Sequence, residues 1–226
     1  MIPICKPAVL LSSAYLPSVQ YISKFLMYEH IWVEAFESFP KQTFRNRCVI
    51  LGANGLESLS IPVIKSNSKQ LMKDVKIEYE TPWQHKHWNA IVSAYNSTPF
   101  FEILADDFRP FFEKKYSYLL DFNQDILHCI LNILEICPSM QLTNDFELFS
   151  DSGDNLREFM HPKEDKNQFD SHFEALAYGQ VFDHKFGFQA NLSIVDVLFN
   201  CGSASYETIL KSIKDLPTNS EIKKEV

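Results

Sequence analysis

Residues 8–35 read AVLLSSAYLPSVQYISKFLMYEHIWVEA, and this stretch decides the fold. Ala8 to Ala14 is nearly continuous in apolar and small residues, the pattern of a strand buried on both faces. Tyr15-Leu16-Pro17-Ser18 interrupts it as a loop. Ser18 suits a helix N-cap because its hydroxyl accepts from a first-turn N–H; Ile22, Phe25 and Leu26 then form an apolar stripe over Val19 to Tyr28. His30 to Ala35 returns to strand. Strand, loop, helix and strand make a βαβ unit, so the first two strands are expected to be parallel with a right-handed crossover. Open α/β sheets bind ligands at the carboxyl edge of their strands. That edge receives Ser12, Ser13, Tyr15 and Gln20 from the first loop, and Glu34, Phe36 and Glu37 from the end of the second strand.

The next segment, KQTFRNRCVILGANGLESLSIPV at 41–63, carries the hairpin signal Asn54-Gly55 between two β-rich runs. Lys41, Arg45 and Arg47 lead into it. Alternation along a strand places Arg45 and Arg47 on one face. Two adjacent guanidinium forks grip a phosphate or carboxylate in bidentate fashion. The alternative is a solvated edge strand whose charges oppose aggregation.

Further along, Val75 to Tyr79 alternates as a strand. Thr81-Pro82 reads as N-cap and first residue of a helix, PWQHKHWNAIVSAYNS. Trp83, Lys86, His87, Ile91 and Tyr95 fall near one face of it. His87 titrates near neutrality when unperturbed, which suits a general acid or base; a hydrogen-bonded packing histidine is the competing reading. His85 and His87 sit two apart and share no helical face, so no zinc pair and no metal site is expected. Pro99 to Tyr116 is helical with Pro110 dividing it, and Leu119 to Cys137 is a long amphipathic helix ending before Pro138. Met140 to Phe146 reads as a late strand. Phe149 to Phe173 is polar: a surface loop, or a lid bearing His161 and Lys163 as a reactive pair. Two short helices follow, Ile194 to Phe199 ended by Gly202, and Ser205 to Ile213 with Ser203 and Ser205 as caps. The expected fold is α/β, a mixed sheet opening with a parallel βαβ unit and an antiparallel hairpin, then a helical second half. Residues 1–215 are expected to form one domain, with 216–226 a frayed polar tail.

Composition narrows the functional classes. A hydrophobic content of 46% with 19 Phe among 226 residues indicates an ordered core. A net charge of −8 disfavours a broad nucleic-acid surface but leaves room for a local cationic pocket. The five cysteines form no CxxC and no zinc spacing, which points to a reducing, cytoplasmic setting. No segment is apolar and long enough to span a membrane. No P-loop, glycine-rich fingerprint, Ser-His-Asp signature or nucleophile elbow occurs, so no cofactor is expected. Oligomeric state is left open.

A series of motifs, in order from about Leu11 to Leu210, resembles the WbqC-like proteins, bacterial proteins associated with O-antigen and other surface-polysaccharide gene clusters. They are AYLPSVQYISKF (14–25), KQTFRNRCVILGANGLESLSIPV (41–63), PWQHKHWNAIVSAY (82–95), PFFE (99–102), HPK (161–163) and YGQVFDHKFGFQANLSIVDVLFNCG (178–202). Here Phe36 stands within EAFESFP (34–40), where many members carry acidic or histidine residues, and Ser12-Ser13 replaces the common Gln-Pro. The resemblance implies a transferase moving glycine or another aminoacyl group to a polysaccharide sugar, with a small anionic or sugar-linked substrate. Every plausible donor (adenylate, thioester carrier or charged tRNA) brings phosphate. The catalytic candidates are His87, His161 and Glu34. The substrate- or anion-binding candidates are Lys41, Arg45, Arg47, Tyr15, Gln20, Lys86 and Lys163. Two alternatives stay open: an enzyme binding a nucleotide or nucleotide sugar, and a non-catalytic binding component of a polysaccharide assembly system.

Overall fold

The computed structural model of the chain describes residues 6–40, 42–64, 69–146, 153–159 and 170–214. Lys41, His161, Lys163 and the tail 216–226 lie outside the described residues, as does much of the expected lid. The opening unit forms as its pattern dictates: β1 (Lys6–Ser12), α1 (Val19–Met27) and β2 (Tyr28–Glu34), with β1 and β2 parallel in the register Leu10 to Trp32. Val9, Leu10 and Leu11 are at most 1% exposed, as a central strand requires. Ser18 caps α1, its Oγ accepting from the Tyr21 N–H at 3.3 Å.

Two later strands complete this sheet. Ser139–Leu142 pairs in parallel with β2, and the two-residue Asp154–Asn155 pairs in parallel with β1. Taking the hairpin strands as β3 (Arg47–Gly52) and β4 (Gly55–Ser60), these become β5 and β6, and the sheet order is β5-β2-β1-β6. Successive connections run outward from β1 through β2 to β5, then jump to β1's other edge. The hairpin does not join this sheet; β3 and β4 form a separate two-stranded antiparallel sheet closed at Gly52 and Gly55. Gly55 has a φ of +109°, a conformation a side chain at that turn would oppose.

The helices are α2 (Trp83–Tyr95), α3 (Phe101–Phe108), α4 (Leu119–Ile133), the single turn α5 (Asp183–Phe186), α6 (Ile194–Cys201) and α7 (Ser205–Lys211). Pro110 divides its helical run as expected, α3 passing into a 3-10 turn at Arg109–Phe112. Gly202 ends α6 at φ +54°, and a Cβ there would meet the Phe100 ring at 2.3 Å. One hydrophobic core runs through these elements, with Phe199 of α6 packed among Tyr95, Phe101 and Phe108.

Several local expectations are corrected. Residues 42–46 form turns, so Arg45 precedes β3 and does not share a strand face with Arg47. Residues 75–79 make only isolated bridges, Val63 to Ile77 and Lys76 to Tyr118, beside the 3-10 turn Met72–Asp74. Thr81 does not cap α2, because Pro82 occupies the cap position and the Thr81 hydroxyl faces Glu78 instead. Helix α7 likewise starts at Ala204 without a side-chain cap. The Ser205 hydroxyl donates instead to the Val197 carbonyl at 3.0 Å. Helix α4 stops at Ile133, where Glu135 takes a positive φ before the chain enters β5.

Candidate functional site

The carboxyl ends of the parallel strands open into a cleft of about 710 Å³. The segment after β2 lines it with Phe36, Glu37 and Ser38, the segment after β5 with Phe146, and β6 and its continuation with Asn155, Arg157, Glu158 and Phe159. Three phenylalanine rings thus stand around a polar floor.

That floor is a lattice of two guanidinium groups and three carboxylates. Arg45, only 2% exposed, donates from Nε and Nη2 to the two oxygens of Glu37, each at 2.6 Å. Its Nη2 also reaches Glu158 Oε1 at 2.8 Å. Arg157 donates to Glu34 Oε2 at 3.0 Å and lies over the Phe146 ring at 4.8 Å. Glu34 is fully buried, its other oxygen accepting from the Phe36 N–H and the Thr143 hydroxyl, both at 2.8 Å. Burial pushes the Glu37 carboxyl above its ordinary value, with the Arg45 fork opposing and Glu158 and Glu34 adding to it. The short two-point contact makes the ion pair the form present at neutral pH. The buried Tyr21 hydroxyl is pushed up by burial and then by Glu37.

The residues singled out from sequence divide among several places. Glu34 and Arg45 meet in the lattice beneath the cleft. Tyr15 and His87 come together elsewhere in the core: the Tyr15 hydroxyl and His87 Nδ1 are 2.9 Å apart, and the rings stack at 5.7 Å. The Ser60 backbone, close by, favours the protonated ring. Burial lowers the His87 pKa to about 4, against that Ser60 contact. His87 is therefore neutral at physiological pH and lines no part of the cleft. Arg47 is half-buried, its Nε donating to Ser60 Oγ at 3.0 Å. Gln20 exchanges hydrogen bonds with Asn191 and donates to Asp170, which also takes the buried Lys24 at 2.5 Å. Lys86 is exposed on α2. Arg45 and Arg47 thus do not form a paired fork. Among the described residues no group of three or more His, Cys, Asp or Glu side chains is arranged to hold a metal ion. No described helix is long and apolar enough to cross a membrane.

Arg157, Glu158, Asn155 and the rings of Phe146 and Phe159 escaped sequence reasoning as site residues. Phe146 closes the run read as a late strand; the others lie in a segment that stood out only by its polarity, and β6, which brings them in, is two residues long.

Comparison with known proteins agrees with the motif series. The model of the WbqC-like protein family matches residues 12–162, a span that contains every cleft-lining residue. Uncharacterized protein Rv1507c of Mycobacterium tuberculosis is 24% identical over 226 residues, covering 88% of this chain and 95% of that one. No solved structure matches. The chain belongs to the WbqC-like protein family.

Proposed function

We propose that the protein is a transferase of surface-polysaccharide biosynthesis that moves a glycyl or other aminoacyl group onto a polysaccharide sugar held in the cleft. The observation that carries this reading is the lining, three phenylalanine rings beside Glu37, Asn155 and Arg157. A sugar ring offers apolar C–H faces that pack on aromatic rings and a rim of hydroxyls that bond to amide, guanidinium and carboxylate groups. The cleft also lies where open α/β sheets bind their ligands. The polysaccharide is what the resemblance of the motif series implies.

In such a transfer an acceptor hydroxyl or amine attacks the glycyl carbonyl and loses its proton to a base. The carrier then departs with the bonding electron pair. Glu37 takes the base role, being the buried carboxylate on the cleft wall and the one burial has pushed up. The sequence carries no P-loop, so this reading takes the donor as activated elsewhere. Purified protein is given sugar acceptors with glycyl adenylate, thioester or tRNA donors, and acceptor mass is followed. A gain of one glycyl residue is expected, with Glu37→Gln slowing it roughly 10²–10⁴-fold. If no donor yields a glycine-dependent gain on any acceptor, the transferase reading is wrong.

A non-catalytic sugar-binding component is the second reading, favoured by the engagement of Glu34, Glu37 and His87 alike in buried hydrogen bonds. Glu37→Gln separates the two: an enzyme loses turnover while still binding, whereas a binding module loses only affinity.

A further inference from the structure

Arg45 Nη2 carries two hydrogens. One enters the fork with Glu37; the other faces Glu158 Oε1 at 2.8 Å, with the Arg157 carbonyl at 3.4 Å. The two carboxylates on this nitrogen are held very differently. The Glu37 side chain is 7% exposed and fixed by two bonds, while that of Glu158 is 66% exposed and held by one. A solvated carboxylate on one contact is weakly retained, because water competes for it and ordering a long side chain opposes the contact. The guanidinium beneath is buried and tied by two bonds to Glu37, so its outward donor belongs to the cleft floor.

We propose that this donor is an anion subsite and that Glu158 occupies it only until a ligand carboxylate or phosphate takes its place. Resting on the sugar-cleft reading above, the cleft then selects acidic sugars or sugar phosphates over neutral sugars. Charge is consistent with exchange rather than addition. Glu34, Glu37 and Glu158 against Arg45 and Arg157 leave one excess negative charge, so an anion entering beside Glu158 meets repulsion. An anion replacing it leaves Arg45 as neutralised as before. Arg157, with 13% of its side chain exposed and its guanidinium over Phe146, stands at the same wall to face the incoming group.

Binding of methyl glucoside, glucuronate and glucose 1-phosphate to the full chain and to Glu158→Ala is compared by calorimetry at fixed ionic strength. Removing a competitor held by a surface ion pair is expected to tighten the two anions by about two- to fivefold and leave the neutral sugar unchanged. The carboxylate and phosphate arms show which anion the subsite prefers. Unchanged or weaker anion binding, or equal tightening of all three, overturns the proposal while leaving sugar binding itself intact. If no sugar binds, the cleft reading fails, and inorganic phosphate becomes the probe, followed by the NMR signal of the Arg45 Nε–H. A phosphate-dependent shift that is larger in Glu158→Ala upholds the subsite; no shift in either protein overturns it.

Discussion

At the cleft, Glu34 and Glu37 are buried against guanidinium groups; in the second half of the chain, Asp196 is just as buried but held by neutral donors. Its two oxygens accept from the hydroxyls of Tyr95 at 3.0 Å and Tyr178 at 2.7 Å and from the Gln180 amide at 3.0 Å. Among the described residues it has no ion-pair partner. Burial raises its pKa, and the three hydrogen bonds only partly offset this. Both networks satisfy their carboxylates. They differ in what happens when a partner is lost: one leaves a bare charge facing a cleft, the other leaves orphaned dipoles in a closed core.

The largest effect is expected on the charged side. Arg45→Ala strands Glu37 and is expected to lower unfolding free energy by about 3–5 kcal/mol in urea titrations. An apolar replacement of both partners, Arg45→Met with Glu37→Leu, is expected to recover much of that loss; a double loss equal to the sum of the two single losses would mean no coupling. Asp196→Ala follows at on the order of 2–4 kcal/mol, since it removes the acceptor from three buried donors.

The contrast sharpens with pH. A carboxyl whose folded pKa is raised contributes stability that is complete below its unfolded value of 3.8 and is lost as pH rises through the folded value. Asp196 behaves this way. Asp170 behaves oppositely: burial works against it, but Gln20 and Lys24 hold its pKa low, so its contribution is present above 3.8 and lost as pH falls. Asp196→Asn is therefore expected to gain stability relative to wild type as pH climbs above about 4. Urea midpoints across the acid range check this, and a flat difference between the two proteins contradicts it.

His87 provides a smaller test. Its neutral form stabilises the fold fully above pH 6.5, and that contribution is lost as pH falls through about 4. Its ring signals are expected to stay constant at neutral pH, and Tyr15→Phe is expected to cost about 1 kcal/mol. A titration near 6.5 would restore His87 as a candidate base. The smallest effect belongs to Glu158→Ala, whose loss of stability is expected below about 1 kcal/mol because its ion pair is solvated.

The sequence was most legible where local signals agreed. The apolar run at Val9–Leu11, the Ser18 cap and the Asn54-Gly55 turn each led to the element observed. It was least legible where position depends on distant chain. Alternation put Arg45 on a strand, but the strand begins two residues later, and Arg45 is instead turned inward to Glu37. Glu34 was correctly placed at the strand end that borders the cleft, but Arg157, which neutralises it, lies beyond the long helical half. No local periodicity reports such a pairing. The helical histidine was legible as a residue of interest and misleading as to its surroundings, because only packing buries the ring and brings Tyr15 onto Nδ1.

Strand β6 has a consequence for how the chain acquires its fold. Arg157 reaches Glu34 across 123 residues of sequence, and Glu158 reaches Arg45 across 113. Such distant pairings lag behind local ones, because a long loop must be closed before they form. On the ribosome the βαβ unit and hairpin emerge well before residue 157. The cleft is then expected to assemble after the folding barrier, as the β6 segment docks on β1. Loss of Arg157 should accordingly speed unfolding and leave the refolding rate nearly unchanged.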